Sequence, residues 1–174
     1  MSAGPILKAG LLIWIAVLLQ AALLSDLSAV SPDLVLVTVV LIALLRGAEA
    51  GAIAGFAAGL LLDVATMSPL LGVSSLLLTI AGYWVGRYGE TTGRDRTHAP
   101  YLSVAATTLL VAFSTLAVYV VLQQPISAQR VLVHELPGRL LLGILLTAPL
   151  YRIVSRLLRR APSHERAAEV RLLA

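Results

Sequence analysis

Apolar residues form long runs along this chain, and charged or turn-forming residues separate one run from the next. A helix needs about 20 predominantly apolar residues to cross a bilayer, and most of the runs approach that length. The six runs lie at about residues 9–29, 32–46, 48–65, 70–88, 100–123 and 136–158. The pattern predicts an all-α polytopic membrane protein with six transmembrane helices in one bundle.

Composition supports this interpretation. The chain has 174 residues, of which 59% are hydrophobic and only 13% charged, whereas soluble domains carry about 25% charged residues. Its formal net charge of +4 does not indicate a nucleic-acid partner, because the arginines stand at the ends of the apolar runs rather than on a soluble surface. The chain contains no cysteine, which excludes disulfides, iron–sulfur clusters and thiol catalysis.

Basic residues predict the orientation, because Lys and Arg near span ends are retained on the cytoplasmic side. With the amino terminus inside, only Arg130 and Arg139 fall outside. Lys8, Arg46, Arg87 and the basic residues at later cytoplasmic ends all fall inside. We therefore expect both termini to be cytoplasmic, with a bundle over residues 1–160 and a basic cytoplasmic tail over 161–174 that is attracted to anionic membrane lipid. The expected location is a membrane that the chain crosses several times.

Small residues recur every four positions in the third run. They are Gly47, Gly51, Gly55 and Gly59, and Asp63 continues the series. On a helix this spacing forms a slanted ridge, here called the glycine ridge, that lets another helix approach closely. Glycine lowers helix stability by about 1 kcal/mol relative to alanine, a cost that close packing would offset. Two interpretations stay open: packing within the chain, or a face that binds a partner helix.

Two acidic residues lie toward the external ends of the second and third runs. Because these runs form an antiparallel hairpin, Asp33 and Asp63 are expected at similar depth and could share one outward-facing polar site. In the alternative, each is a cap: Asp33 at the amino terminus of its helix, and Asp63 on the turn over residues 66–71. Pro69 and Gly72 mark that turn and the start of the next run.

Groups that would indicate catalysis or metal binding are missing from the sequence. Ser74 and Ser75 lie outside a GxSxG motif, and the histidines fall in loops or the tail. HExxH, Walker-type and paired-carboxylate patterns are absent. The sequence therefore predicts no enzyme, no cofactor and no metal.

Several short motifs lie in the central part of the chain. They are Pro32-Asp33-Leu34 opening the second run, GFAAGLLLD from Gly55 to Asp63, and Pro69-Leu70-Leu71-Gly72 ahead of Gly82-Tyr83. In these motifs, and in its size and basic carboxy terminus, the chain resembles the bacterial rod shape-determining protein MreD family. The resemblance extends from the first run to the arginine-rich end.

The resemblance implies a non-enzymatic membrane scaffold of the cell-wall elongation machinery (elongasome), which maintains cell shape and helps organise peptidoglycan synthesis. It implies MreC as the direct partner, with MreB, RodA and a class B penicillin-binding protein in the same complex. The partner-binding or packing candidates are Asp33, Gly51, Gly55, Gly59, Asp63, Pro69 and Gly72.

The family is also similar in architecture to the substrate-binding subunits of energy-coupling-factor transporters, and a small-molecule-binding subunit of that type is the alternative function. Those subunits use an AxxxA pattern in the first helix to dock their coupling protein. Here Ala9, Ala16, Ala21, Ala22 and Ala29 never stand four apart, which favours the scaffold.

Overall fold

The computed structural model describes residues 3–26, 33–67, 71–92, 98–121 and 136–158, and every regular element within them is a helix. The helices are α1 (Ala3–Asp26), α2 (Leu34–Arg46), α3 (Ala48–Ala65), α4 (Val73–Thr92), α5 (Ala99–Val121) and α6 (Leu136–Leu158). The predicted all-α fold is confirmed over these residues, and each of the six apolar runs overlaps one helix.

Helix α2 forms the centre of the bundle. Its residues from Leu34 to Leu44 are all buried, and it packs against each of the other five helices. A helix that is apolar on every side is stable only where every side is covered. The sequence LVLVTVVLIALL is apolar on every side except for one polar residue, Thr38. The Thr38 hydroxyl donates a hydrogen bond to the carbonyl oxygen of Leu34 at 2.8 Å, so this side chain can be buried with its hydrogen bond formed.

The other five helices surround α2 as a closed ring in the order α1, α3, α4, α5, α6 and back to α1. Packing around the ring is uneven. It is most extensive between α3 and α4 and least extensive between α1 and α6. One continuous apolar core joins residues from all of the helices around α2.

Contacts to α2 establish the direction of its neighbours. Gln20 of α1 accepts a hydrogen bond from the Val35 backbone N–H at 2.8 Å, so the carboxy-terminal half of α1 lies beside the start of α2. Gly143 in the first half of α6 lies beside Val37: a Cβ on Gly143 would be 3.9 Å from Val37 Cγ2. Earlier residues of α1 (Ile13, Val17) and later residues of α6 (Val154, Leu158) are buried in the same core as α2, and they could not reach it if either helix ran away from α2 at these contacts. Helix α1 is therefore antiparallel to α2, and α6 is parallel to it. We call the end of the bundle where α2 begins the Asp33 end, and the opposite end the Gly47 end.

The turn at the Gly47 end reverses the chain within one residue. Gly47 has φ +98°, a conformation that glycine adopts at little cost. A Cβ on Gly51 would lie 2.6 Å from Ala43 Cβ, although residues eight apart in one straight helix are about 12 Å apart. Helices α2 and α3 therefore fold back on each other, as the sequence predicts.

Among the residues that the structure describes, three helical segments are long and apolar enough to cross a membrane: Ala48–Ala65, Ala99–Val118 and Leu136–Leu158. Two shorter apolar segments are Leu7–Ala22 and Leu34–Arg46. The 13 residues of α2 extend about 20 Å, less than the roughly 30 Å of a hydrocarbon core. Because protein encloses α2, its length does not have to match that of the bilayer. Membrane crossing by all six helices remains a prediction.

Candidate functional site

The glycine ridge of α3 lies against α4. Gly51, Gly55 and Gly59 are all buried. A Cβ on Gly55 would lie 2.5 Å from the carbonyl carbon of Leu78, and one on Gly59 would lie 2.6 Å from the backbone nitrogen of Ser75. Both neighbours are backbone atoms, so no rotamer change could make room for a side chain. The glycine ridge therefore packs against another helix of the same chain. Its glycines are not accessible to a partner helix while α3 and α4 are packed together.

Helix α4 contributes glycines of its own to this interface. A Cβ on Gly86 would lie 2.5 Å from Ala48 Cα on α3, whereas one on Gly89 would lie 2.7 Å from the carbonyl oxygen of Leu44 on α2. Sequence analysis missed this half of the interface. The signal was present, because Gly82, Gly86 and Glu90 stand four apart and continue the same small-residue spacing along α4.

Glu90 joins this interface to the start of α3. Its Oε1 accepts a hydrogen bond from the Ala48 backbone N–H at 3.0 Å, and Oε1 also occupies the space that a Cβ on Gly47 would need. The first backbone N–H groups of a helix have no partner within the helix, and a carboxylate there also interacts favourably with the helix dipole. Because the N-cap residue Gly47 has no side chain to supply this acceptor, α4 supplies it from outside.

Asp33 caps α2, as one of its two interpretations predicts. Its Oδ1 accepts a hydrogen bond from the Leu36 backbone N–H at 3.2 Å. Oδ1 also lies 3.4 Å from Gln20 Nε2, and the positive charge of Arg139 acts on the carboxylate. Gln20, which is buried and which sequence analysis did not single out, therefore bonds both Asp33 and the Val35 N–H.

Asp63 closes the turn between α3 and α4. It is 1% exposed, and its Oδ2 accepts a hydrogen bond from the Gly72 backbone N–H at 2.7 Å. Gly72 has φ +96°, which favours glycine at this position. The other oxygen, Oδ1, is buried without a hydrogen-bond partner among the described residues. Asp63 therefore spans the turn as a cap, with its bond directed to Gly72 rather than to residues 66–71.

The predicted site residues thus fall into two groups. Gly51, Gly55 and Gly59 meet on the α3–α4 interface, whereas each of the two carboxylates caps a different helix or turn with its own hydrogen-bond donors. Pro69 lies outside the described residues. Ser75, which was not among the predicted site residues, also joins α4 to α3, because its hydroxyl donates to the Phe56 carbonyl oxygen at 3.1 Å.

The chemistry of these groups is that of packing and capping. Within the described ranges, no three His, Cys, Asp or Glu side chains lie close enough together to hold a metal ion. The polar side chains of Gln20, Asp33 and Asp63 at the Asp33 end bond to backbone N–H groups or to each other, and Asp63 Oδ1 is the buried oxygen left without a partner among the described residues. The arrangement described here can hold helices in fixed relative positions.

Comparison with known proteins identifies one family. The family described as rod shape-determining protein MreD matches residues 5–161 of the chain. No curated protein and no solved structure matches the chain. The family match covers all six helices, including the α3–α4 interface and both carboxylates.

Proposed function

The chain belongs to the MreD family of rod shape-determining proteins, and on this premise we propose that it is a non-enzymatic scaffold of the cell-wall elongation machinery. It would reside in the bacterial cytoplasmic membrane as a multi-pass protein with both termini inside. Its role would be to bind MreC and to help organise the peptidoglycan synthases. MreB, RodA and a class B penicillin-binding protein would belong to the same complex.

The observation that carries this proposal is the α3–α4 interface. Backbone-to-backbone contact over Gly51, Gly55 and Gly59 leaves little freedom for the two helices to shift. A scaffold requires such rigidity, because a binding surface holds its partner in place only when the surface is itself fixed. The capping bonds of Glu90 and Asp63 stabilise both ends of the same pair.

The surface offered to MreC would be the outer face of α3, opposite the glycine ridge. Large apolar side chains are exposed along this face, and they are Ile53, Phe56, Leu60 and Val64. Their spacing of three and four residues keeps them on one side of the helix. A transmembrane helix of MreC could pack lengthwise along such a stripe.

Co-purification from detergent-solubilised membranes tests this assignment. We expect Phe56→Ala combined with Leu60→Ala to lower the yield of MreC recovered with the tagged chain, without lowering the amount of the chain itself. The matched control is Phe113→Ala combined with Leu110→Ala on α5, whose side chains are 58% and 47% exposed, against 55% and 43% for Phe56 and Leu60. Equal MreC yields for the two double variants would reject the outer face of α3.

Substitution of the ridge itself serves a different purpose. Because Gly55 faces the Leu78 backbone, Gly55→Leu is expected to disrupt the α3–α4 pair and to lose MreC together with folded protein. A loss of cell shape in that variant alone would not locate the partner surface. The outer-face variants do so because their side chains contribute little to the core.

The alternative function, a small-molecule-binding subunit of an energy-coupling-factor type transporter, requires an outward-facing pocket with free polar groups. The buried polar side chains described at the Asp33 end bond to backbone N–H groups. Among them only Asp63 Oδ1 has no partner within the described residues, and a single oxygen is little for a ligand pocket, which supports the scaffold instead. Native mass spectrometry of the purified chain separates the two functions. A stoichiometric small molecule that survives purification would favour the transporter subunit.

A further inference from the structure

We propose that the Gly47 end of the seam between α1 and α6 binds an anionic phospholipid. Its headgroup would be held by Lys8, Arg152 and Arg156, and its acyl chains would lie along the two helices. This inference goes beyond the scaffold role and does not depend on MreC.

The three basic side chains come to one level of the bundle although they lie far apart in sequence. Gln20 is bonded to Val35, and Lys8 lies 12 residues earlier on an antiparallel helix, which puts it about 18 Å from Val35 toward the Gly47 end. Gly143 lies beside Val37, and the same rise places Arg152 at about 17 Å and Arg156 at about 23 Å. All three therefore lie within about one helical turn of the same depth, on helices that are neighbours in the ring.

These cations are available to a ligand. Lys8, Arg152 and Arg156 are exposed, and among the described residues none of them forms an ion pair. Arg87 at the same end of the bundle differs, because its guanidinium lies 3.7 Å from Glu90 Oε2. A cluster of unpaired positive charges at one membrane surface attracts anionic headgroups, with about a fivefold gain in lipid association for each basic side chain.

Below the charges, both helices expose apolar side chains suited to acyl chains. Ile15 stands seven residues after Lys8, and Leu145 stands seven residues before Arg152, so each lies about two turns from its basic residue on nearly the same face. Ile15 is 54% exposed and Leu145 is 71% exposed. The α1–α6 contact is also the least extensive of the ring.

Quenching of tryptophan fluorescence by brominated lipids measures this site directly. The chain has two tryptophans, and replacing both with Phe allows one reporter to be introduced by Ile15→Trp beneath Lys8. The full chain is reconstituted with dibrominated phosphatidylglycerol or dibrominated phosphatidylcholine. We expect phosphatidylglycerol to associate with this reporter at least about fivefold more strongly than phosphatidylcholine.

Charge variants test the assignment to α1 and α6. Arg152→Gln combined with Arg156→Gln is expected to weaken the preference for phosphatidylglycerol several-fold and to leave only the contribution of Lys8, whereas Arg152→Lys combined with Arg156→Lys should retain the full preference. The matched control is Arg87→Gln, which removes a positive charge at the same end of the bundle but on α4, whose ring neighbours are α3 and α5. It should leave the preference at the Ile15→Trp reporter unchanged.

A second reporter separates a site from a general attraction to the membrane surface. Trp84 on α4 is a native residue and is 65% exposed. In a Trp14→Phe variant that keeps Ile15, it is the single tryptophan. The double Gln variant should leave quenching of Trp84 unchanged. Equal association of both lipids with the Ile15→Trp reporter in the unaltered basic background would overturn the proposal. The proposal would also be overturned if the double Gln variant lost the preference for phosphatidylglycerol equally at both reporters. The same holds if Arg87→Gln lost as much of this preference at the Ile15→Trp reporter as the double Gln variant.

Discussion

Gly51 and Gly82 contact each other through their backbones, and the contact is reciprocal. A Cβ on Gly51 would lie 2.9 Å from the carbonyl carbon of Gly82, and a Cβ on Gly82 would lie 2.7 Å from the carbonyl carbon of Gly51. Neither helix can accept even a methyl group at this crossing without moving away from the other. The pair therefore sets the distance between α3 and α4.

Gly51→Ala or Gly82→Ala is expected to destabilise the protein. Forcing a methyl group against backbone costs about 1–3 kcal/mol, and the higher helix propensity of alanine returns only about 1 kcal/mol. Thermal unfolding in detergent, followed by circular dichroism, measures the difference. The control is Gly10→Ala on α1, where a Cβ would have no neighbour within 4 Å, so the midpoint should stay the same or rise. Equal midpoints for Gly51→Ala and Gly10→Ala would contradict the close contact.

Glu90→Ala is expected to cost about 1 kcal/mol, the usual value of a helix cap, because the Ala48 N–H loses its acceptor. Glu90→Gln keeps an oxygen at that position and should cost less, only the charge–dipole contribution of about 0.3–1 kcal/mol. Arg87→Gln is the control for the Arg87–Glu90 ion pair, since exposed ion pairs contribute about 0–1 kcal/mol. A loss in Arg87→Gln as large as that in Glu90→Ala would assign the effect to the ion pair rather than to the cap.

Asp63→Asn and Asp63→Ala separate a capping role from a role for the charge. The amide oxygen of Asn can still accept a hydrogen bond from the Gly72 N–H. The substitution also removes a buried charge, whose burial costs free energy. Asp63→Asn should therefore be at least as stable as the native chain. Asp63→Ala leaves the turn unbonded and should lose about 1–3 kcal/mol. Stability in detergent and recovery of MreC are measured together. A folded Asp63→Asn variant that fails to bind MreC would show that the carboxylate itself is functional.

Single cysteines test the orientation, because the chain has none of its own. Glu49 lies in the first turn of α3, which is one of the candidate spans, and Met67 lies just beyond its end. Both residues are exposed. With both termini cytoplasmic, Met67→Cys should react with a membrane-impermeant maleimide in intact cells, and Glu49→Cys only after permeabilisation. Labelling of both from the same side would refute the crossing of α3.

Much of the helical fold was predictable because the length of each apolar run is a local property of the sequence. The helix bounds of α3 and α6 coincide with predicted runs, and the α2–α3 reversal was evident from Gly47 between two runs that follow directly on each other. The capping role of Asp33 was one of two interpretations of that residue. It could be predicted locally, because a carboxylate beside a helix amino terminus finds backbone N–H donors without help from distant residues.

The sequence by itself determined the helical composition, the membrane character and the small-residue spacing on α3. Only the tertiary structure decided what the glycine ridge packs against, because the same spacing suits a neighbour in the chain and a separate partner equally well. Tertiary structure likewise enclosed α2 within the ring and brought Gln20 to Val35 and Glu90 to Ala48. These pairs are 15 and 42 residues apart, and a hydrogen bond over such a separation depends on helix packing, which no local pattern encodes.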